Sequence, residues 1–215
     1  MSDNPQNPSP EGNGPPQPVG SDPATYSQKF SHAPVAARVP EKVGRGVFST
    51  GVCIQDTPTE FILDFLQALA RPTGVVARVV LTPPVMAGLV GRMRESLNAY
   101  IQTFGPPQPL PKPPPNQPKP SIQDIYEQFK LPEDMYSGSY ANSFLIAYGP
   151  AEFCFDFITG FYPTASVSTR AYLSAQQIPR MLDTLSMALQ QHYQRYHQQG
   201  AAPQQPPPAA PPAQP

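Results

Sequence analysis

The sequence predicts an α+β fold built from two tandem β-β-β-α units, in each of which an antiparallel three-stranded meander is followed by a helix. Three observations predict it: an internal repeat, three strand-like segments in each copy, and a helical stripe of apolar residues at the end of each copy. We expect the two units to pack as a pseudo-two-fold pair, because a unit of about sixty residues alone buries too small a fraction of its surface.

The repeat appears when the chain is compared with itself at an offset of 92 positions, which aligns residues 46–104 with residues 138–196 without a gap. Identical residues are spread along the whole alignment: Gly46 with Gly138, Ile54 with Ile146, Pro58 with Pro150, Glu60-Phe61 with Glu152-Phe153, Asp64-Phe65 with Asp156-Phe157, Val75 with Val167, Arg78 with Arg170, Leu81 with Leu173 and Leu97 with Leu189. The apolar periodicity also coincides in the two copies, so the chain is interpreted as a tandem duplication.

Three strand-like segments make up the meander of the first copy. Apolar residues alternate over 48–55, a turn with proline at its second position follows at 57–60, and a second strand covers 61–69. A further turn at 71–74 leads to a third strand, 75–81, that is rich in β-branched residues. The second strand is apolar on both faces, which favours packing of the copies on each other over two independent units joined by a linker.

One long amphipathic helix ends each copy. Thr82 is positioned to cap the first helix with its side chain, Gly105 can end that helix in the left-handed conformation, and Ser174 is the expected cap of the second helix. The apolar stripes have helical spacing: Met86, Leu89, Val90, Met93, Leu97, Tyr100, Ile101 and Phe104 in the first copy, and Ile178, Met181, Leu182, Leu185, Leu189, Tyr193 and Tyr196 in the second. Gly88 and Gly91 lie outside the first stripe and are interpreted as weak positions that the helix tolerates, the alternative being close approach of a partner backbone.

Proline-rich segments separate the parts of the chain that we expect to fold. The 215 residues include 33 prolines, about three times the usual share. They cluster where apolar side chains are too sparse to offset the entropy of ordering the chain. We therefore predict a disordered tail (1–43), the first unit (44–105), a proline-rich linker (106–120), a short helix and connector (121–137, with the helix over 121–130), the second unit (138–198) and a disordered tail of proline, alanine and glutamine (199–215). The linker contains Lys112-x-x-Pro115-x-x-Pro118, a loose polyproline-ligand pattern, but a stiff spacer is the favoured interpretation.

A composite motif runs through the first copy. It reads Glu60-Phe61-Ile62-Leu63-Asp64-Phe65, then Ala77-Arg78-Val79 before the capped helix, then Phe104-Gly105 at the end of that helix. The combination resembles a bacterial family known as domain of unknown function 3467. The second copy resembles it more loosely, with Thr169-Arg170-Ala171, Ala175 and His197 at the corresponding positions. The resemblance supports the fold and the duplication, and it implies no activity, cofactor or site residue.

Asp64 and Arg78, with their counterparts Asp156 and Arg170, are the principal site candidates. In the first copy the two residues lie at equal distances from the centre of the hairpin near Arg71, so they can face each other on neighbouring strands as an ion pair. A structural pair that fixes the register of the sheet is the favoured interpretation, and a partner-binding pair at the pseudo-two-fold axis is the alternative.

Glu60 and Glu152 follow the turn prolines and are the remaining candidates. Two equivalent carboxylates can imitate an acid/base pair, but nothing else in the sequence supplies a substrate cleft, so we predict no catalytic residue and no enzyme activity. The histidines His32, His192 and His197 lack the spacing of a metal site, and the HExxH, CxxC, GxGxxG, GxxxxGK and GxSxG motifs are absent from the sequence. No metal and no cofactor are expected.

Net charge and cysteine content further limit the binding partners and the cellular compartment that we expect. The net charge of -1 argues against strong electrostatic attraction to nucleic acid or anionic lipid. Cys53 and Cys154 are interpreted as small buried thiols rather than as a disulfide framework. The N-terminal residues lack the pattern of a signal peptide, and no stretch approaches the roughly 18 apolar residues that cross a bilayer. We expect a cytoplasmic protein without membrane contact.

The sequence therefore predicts a non-enzymatic protein-interaction module, an adaptor or scaffold whose partner is another protein. A chaperone-like holdase belongs to the same class. The alternative is a single-stranded nucleic-acid-binding protein whose exposed rings stack on bases, with candidate rings at Phe48, Tyr140, Tyr148, Tyr162 and Tyr172. Copies could also pair between two chains, which would give a homodimer.

Overall fold

The computed structural model describes residues 37–111, 127–161 and 164–197. In chain order the elements are α1 (Glu41–Gly44), β1 (Val47–Ser49), β2 (Gly51–Asp56), β3 (Phe61–Gln67), β4 (Thr73–Leu81), α2 (Pro83–Phe104), β5 (Phe129–Lys130), a 3-10 turn (Glu133–Met135), β6 (Ser139–Ala141), β7 (Ser143–Tyr148), β8 (Glu152–Phe161), β9 (Thr164–Ser174), a second 3-10 turn (Ala175–Gln177) and α3 (Ile178–His197). The architecture is mixed α+β, as the sequence predicts. The predicted disordered tails and most of the linker lie outside the described residues.

Each sheet is built around three consecutive antiparallel strands, β2-β3-β4 in one sheet and β7-β8-β9 in the other. The register of β3 on β4 shifts between Phe65 and Leu66, and that of β8 on β9 shifts between Phe157 and Ile158. These two irregularities occupy equivalent positions at the offset of 92. The duplication in sequence therefore extends to the detailed hydrogen bonding of the strands.

The first short strand of each copy belongs to the sheet of the other copy. β1 pairs in parallel with β9, placing Phe48 beside Tyr172, and β6 pairs in parallel with β4, placing Tyr140 beside Val80. The prediction of one strand over 48–55 was wrong, because the strand breaks at Thr50, whose amide donates to Leu66 O at 2.7 Å. Apolar alternation continues across this break, so the sequence pattern alone does not reveal the change of sheet.

The chain upstream of β1 and β6 is also duplicated. Arg38 forms a parallel bridge with Ser166, and β5 pairs in parallel with β4 through Lys130 and Gly74, at equivalent positions of the two copies. The prediction of a helix over 121–130 was wrong at its end, since Phe129 and Lys130 form a strand. Pairing with an existing strand overrides the local helical spacing there, and residues 121–126 lie outside the described part of the chain.

Helix α2 has the predicted bounds, while the details of capping differ. Gly105 ends α2 with φ 83°, and its amide donates to Ile101 O. Thr82 precedes the helix as predicted, but its side chain makes no capping hydrogen bond, and the same holds for Ser174. The second helix starts late, at Ile178, because the amide of Ala175 donates to Ala151 O and holds the chain in a 3-10 turn first.

A single apolar core joins both sheets and both helices. The buried faces of β3 and β8 meet in this core, where the rings of Phe65 and Phe157 lie 5.6 Å apart. Helix α2 packs on β7 of the second copy, and α3 packs on β2 of the first. The two copies therefore bury apolar surface on each other.

Candidate functional site

Asp64 and Arg78 face each other on β3 and β4 and form a bidentate ion pair. Arg78 Nε donates to Asp64 Oδ1 at 2.7 Å, and Nη2 donates to Oδ2 at 2.8 Å. The Asp64 side chain is completely buried and Arg78 is 10% exposed. Such a fork fixes both partners geometrically, which suits a residue pair that holds two strands in register.

Asp156 and Arg170 repeat this arrangement on β8 and β9. The corresponding distances are 2.6 Å and 2.7 Å, and both side chains retain more exposure than the first pair, 14% for Asp156 and 21% for Arg170. The hydrogen bonds that Arg170 donates to the Asp156 carboxylate raise the pKa of Arg170, so the guanidinium stays charged.

Each arginine also contacts the other copy, which the sequence did not predict. Arg78 Nη1 donates to Tyr136 O at 3.2 Å, and Arg170 Nη1 donates to Gly44 O at 3.3 Å. These acceptors lie at equivalent positions in the segments that lead into β6 and β1. The arginines therefore fasten the incoming segment of one copy on the outer face of the sheet of the other.

Two glycines allow this close approach. Gly46 and Gly138 have φ of 63° and 68°, in the left-handed region that favours glycine. A Cβ on Gly138 would lie 2.8 Å from Arg78 Cγ, and a Cβ on Gly46 would lie 2.8 Å from Arg170 Cγ and closer still to the Tyr172 ring. The identity of Gly46 and Gly138 in the alignment thus has a steric cause as well as a conformational one.

A cleft of about 200 Å³ lies where the two sheets meet, and we call it the junction cleft. Its lining consists of seven equivalent pairs: Lys42 and Asp134, Val43 and Met135, Gly46 and Gly138, Val47 and Ser139, Val76 and Ser168, Ala77 and Thr169, and Arg78 and Arg170. Lys42 and Asp134 are exposed at equivalent positions and carry opposite charges. The cleft brings together the two predicted arginines, which lie 92 residues apart in the chain.

Glu60 and Glu152 lie away from the junction cleft, in the turns before β3 and β8. The hydroxyls of Thr57 and Thr59 donate to the Glu60 carboxylate, and these hydrogen bonds, that from Thr59 first, lower the pKa of Glu60. In the second copy, Gly149 replaces Thr57, and the Glu152 carboxylate lies over Gly149 in the space that a side chain would fill. The Glu60 carboxylate therefore stabilises its turn, and neither carboxylate lines the junction cleft.

The helices reach across to the opposite turns through two residues that sequence reasoning missed. Tyr100 Oη donates to Pro150 O at 2.7 Å, and His192 Nδ1 lies 2.7 Å from Asp56 Oδ1. Arg195 Nη1 also donates to Asp56, at 3.0 Å. Tyr100 and His192 are equivalent at the offset of 92, and this equivalence, on the apolar stripes of the two helices, was the available signal.

The sulfur groups lie on the outer faces of the sheets. Cys53 pairs across β2 and β3 with Asp64, and Cys154 pairs across β8 and β9 with Tyr172, without a disulfide between the cysteines. Burial, with a smaller contribution from Asp156, raises the pKa of Cys154, and burial likewise raises the pKa of Tyr172. Cys154 is therefore a protonated thiol at neutral pH.

Within the described ranges no three histidine, cysteine or carboxylate residues come together in a manner that could hold a metal ion. His192 is engaged by Asp56, and His32 lies outside the described residues. None of the helices in this part of the chain is long and apolar enough to span a membrane.

Comparison with known families gives one match. The model of a family described as "Protein of unknown function (DUF3467)" matches the chain twice, over residues 4–108 and 111–199. The two matches agree with a tandem duplication. No curated protein and no solved structure matches the chain.

Proposed function

We propose, from the premise that this chain belongs to the DUF3467 family and contains its domain twice, that the protein is a non-enzymatic interaction module, a scaffold or adaptor built as a pseudo-two-fold pair. Three observations support the symmetry: β1 and β2 have the same bounds as β6 and β7 at the offset of 92, the register shifts are equivalent, and β1 and β6 are exchanged reciprocally. Engagement of buried Asp64 and half-buried Asp156 by arginine supports a structural role for the candidate pairs.

One observation carries the proposal of protein binding: an apolar pair is exposed at equivalent places in both copies. Tyr140 and Phe161 are 41% and 59% exposed, and their rings are parallel with centroids 6.0 Å apart. Their counterparts, Phe48 and Leu69, are 44% and 71% exposed. Large apolar side chains that remain on a surface in a repeated pattern are typical of a protein-binding surface.

The backbone carbonyls of Tyr140 and Phe48 are held by equivalent hydrogen bonds. The Thr159 hydroxyl donates to Tyr140 O, and the Gln67 amide, at the equivalent position, donates to Phe48 O at 3.1 Å. A preorganised surface loses little conformational entropy when a partner binds. We therefore expect a partner protein with two similar binding segments, or two copies of one partner.

Single-stranded nucleic acid is the second candidate. The parallel exposed rings of Tyr140 and Phe161 could stack on bases, and Tyr148, another predicted ring, is 36% exposed. Tyr172 is half-buried beside Cys154, and Tyr162 lies outside the described residues. The net charge of -1 offers little attraction to phosphates, so protein remains the favoured partner.

We also propose that the protein acts in the cytoplasm. Cys53 and Cys154 stay unlinked by a disulfide, which suits a reducing compartment.

Affinity capture from the native host tests the interaction, using the full chain after mild crosslinking, with and without nuclease. Wild type is compared with two double variants, Tyr140→Ser/Phe161→Ser and Phe48→Ser/Leu69→Ser. We expect each double variant to lose most of a stoichiometric protein partner, because half of a bivalent contact costs much of the avidity.

Met187→Ser is the matched control, since Met187 is 57% exposed on α3, away from both pairs. Retention of the partner by every variant would contradict the proposed surface. If the captured material is lost on treatment with nuclease, the surface binds nucleic acid instead. Fluorescence anisotropy of a labelled oligonucleotide at low salt would then measure the affinity of the protein for nucleic acid.

A further inference from the structure

A second cavity, distinct from the junction cleft, lies between α2 and α3, and we call it the helix groove. It has a volume of about 530 Å³. Its floor is formed by Ala87, Val90 and Gly91 of α2 and Leu189 of α3. Arg94, Gln190, Tyr193 and Gln194 line the same groove with side-chain hydrogen-bond donors. The groove thus combines an apolar floor with a rim of donors.

Gly91 leaves the floor of the helix groove open. A Cβ on Gly91 would meet no heavy atom within 4 Å, whereas a Cβ on Gly88 would lie 3.6 Å from the Phe144 ring, at ordinary contact distance. A glycine inside a helix costs about 1 kcal/mol relative to alanine. No described residue comes close enough to Gly91 to require a glycine at this position. The space above Gly91 is therefore available to another segment.

The other end of the helix pair lacks this design at the equivalent positions. Asp183 replaces Gly91, and Ile101 stands where Tyr193 stands in the groove. A charged side chain in place of the open glycine and an isoleucine in place of a phenolic donor remove both features. The helix groove is therefore a specialisation of one end of the helix pair, and the fold itself does not generate it twice.

An apolar floor with donors along its rim fits a polyproline II segment. Such a segment has no internal hydrogen bonds, so its carbonyls accept bonds from side chains, and its proline rings pack on apolar and aromatic surfaces. Proline lacks an amide N–H, which matches a rim that offers donors. We propose that the helix groove binds a polyproline II segment and that its occupant is residues 198–215 of this same chain.

The place where this segment leaves the fold selects it over the linker. Helix α3 ends at His197, three residues or about 5 Å beyond Gln194. Helix α2 ends at Phe104, ten residues or about 15 Å beyond Arg94, so the linker starts much farther from the groove. Residues 198–215 include seven prolines and no charged residue.

Photo-crosslinking in the full chain tests the proposal. The photoreactive amino acid p-benzoylphenylalanine replaces Ala209 in one variant and Asn116, in the linker, in another. Mass spectrometry then identifies the crosslinked peptides. We expect the probe at position 209 to label the peptides that contain Val90, Gly91 and Leu189. Substitution Gly91→Asp, which copies the residue of the other copy, should reduce this labelling about tenfold, because a carboxylate would be buried against proline rings.

Gly88→Ala is the matched control, since it changes a glycine one turn away without entering the groove, and it should leave the labelling unchanged. A thermal melt verifies that each variant is folded, and if Gly91→Asp unfolds, the double variant Gln190→Ala/Gln194→Ala removes exposed donors instead. Labelling from position 209 that misses the groove or ignores both changes overturns the proposal. Labelling of the groove from position 116 overturns the choice of occupant.

Discussion

Tyr100 and His192 occupy the same place in the two copies, yet each holds the opposite turn by a different bond. Tyr100 donates its hydroxyl proton to the carbonyl of Pro150, while His192 bonds the carboxylate of Asp56. Both rings are almost fully buried, at 5% and 2% exposure. Both copies thus have a contact between helix and turn, which is a neutral pair in one copy and an ionisable pair in the other.

Replacing His192 with phenylalanine should lower the free energy of unfolding by about 1–3 kcal/mol, because the Asp56 carboxylate loses a buried hydrogen-bond partner. Urea unfolding followed by circular dichroism measures the change. Arg195→Gln is the matched control, since Arg195 contacts the same carboxylate but is 53% exposed, and it should cost about 1 kcal/mol or less. Equal losses in the two variants would contradict the importance of the buried contact.

Asp64→Asn should lower the free energy of unfolding by about 3–5 kcal/mol, because it leaves the Arg78 guanidinium without its ionic partner in a buried site. Asp156→Asn should cost less, since that pair is more exposed. The double variant Asp64→Leu/Arg78→Met should be more stable than Asp64→Asn, because no charge remains buried. If Asp64→Asn leaves stability unchanged but abolishes partner capture, the pair binds the partner and does not fix the register.

Gly138→Ala should destabilise the protein by more than the cost of a left-handed residue, about 1–2 kcal/mol, because its Cβ would also collide with the Arg78 side chain. In Gly105→Ala the added Cβ meets open space, so the loss there is the cost of a different backbone conformation alone, φ 83° and ψ 173°. Chemical denaturation measures both variants. A loss of no more than about 1–2 kcal/mol in Gly138→Ala would show that the close approach to Arg78 is relaxed in solution.

Alkylation of Cys154 should require a higher pH in the folded protein than in the unfolded chain. Burial raises the pKa of this thiol, so folding favours the protonated form. The resulting contribution to stability is fully present below the unfolded pKa, about 8.5, and is lost as pH rises through the folded pKa. Peptide-resolved mass spectrometry after iodoacetamide pulses, with and without urea, measures the two profiles, and coincident profiles would contradict the shift.

Much of the fold follows from local pattern and repetition. The apolar period and the placement of proline and glycine predict the bounds of α2 and the course of β3 and β4. The equal distances of Asp64 and Arg78 from the centre of the hairpin predict that they face each other. Each of these depends on residues close together in the chain. Local information of this kind is what a single sequence carries most strongly.

The exchange of β1 and β6 could not be predicted in the same way. A strand alternates identically whichever sheet it joins, so 48–55 reads as one element. One usable signal was overlooked: Pro40 and Glu41 recur as Pro132 and Glu133 at the offset of 92, upstream of the first aligned glycines. That recurrence marks the segments that cross to the other sheet, and it would have extended both units toward their N-termini.

Opposite charges at Lys42 and Asp134 show what covalent fusion permits. In an assembly of two identical chains, a position beside the symmetry axis meets a copy of itself, so a lysine there would approach a second lysine. Joined in one polypeptide, the two halves can mutate separately, and the cleft carries a cation from one copy and an anion from the other. Fusion also makes their assembly unimolecular, so dilution does not separate them.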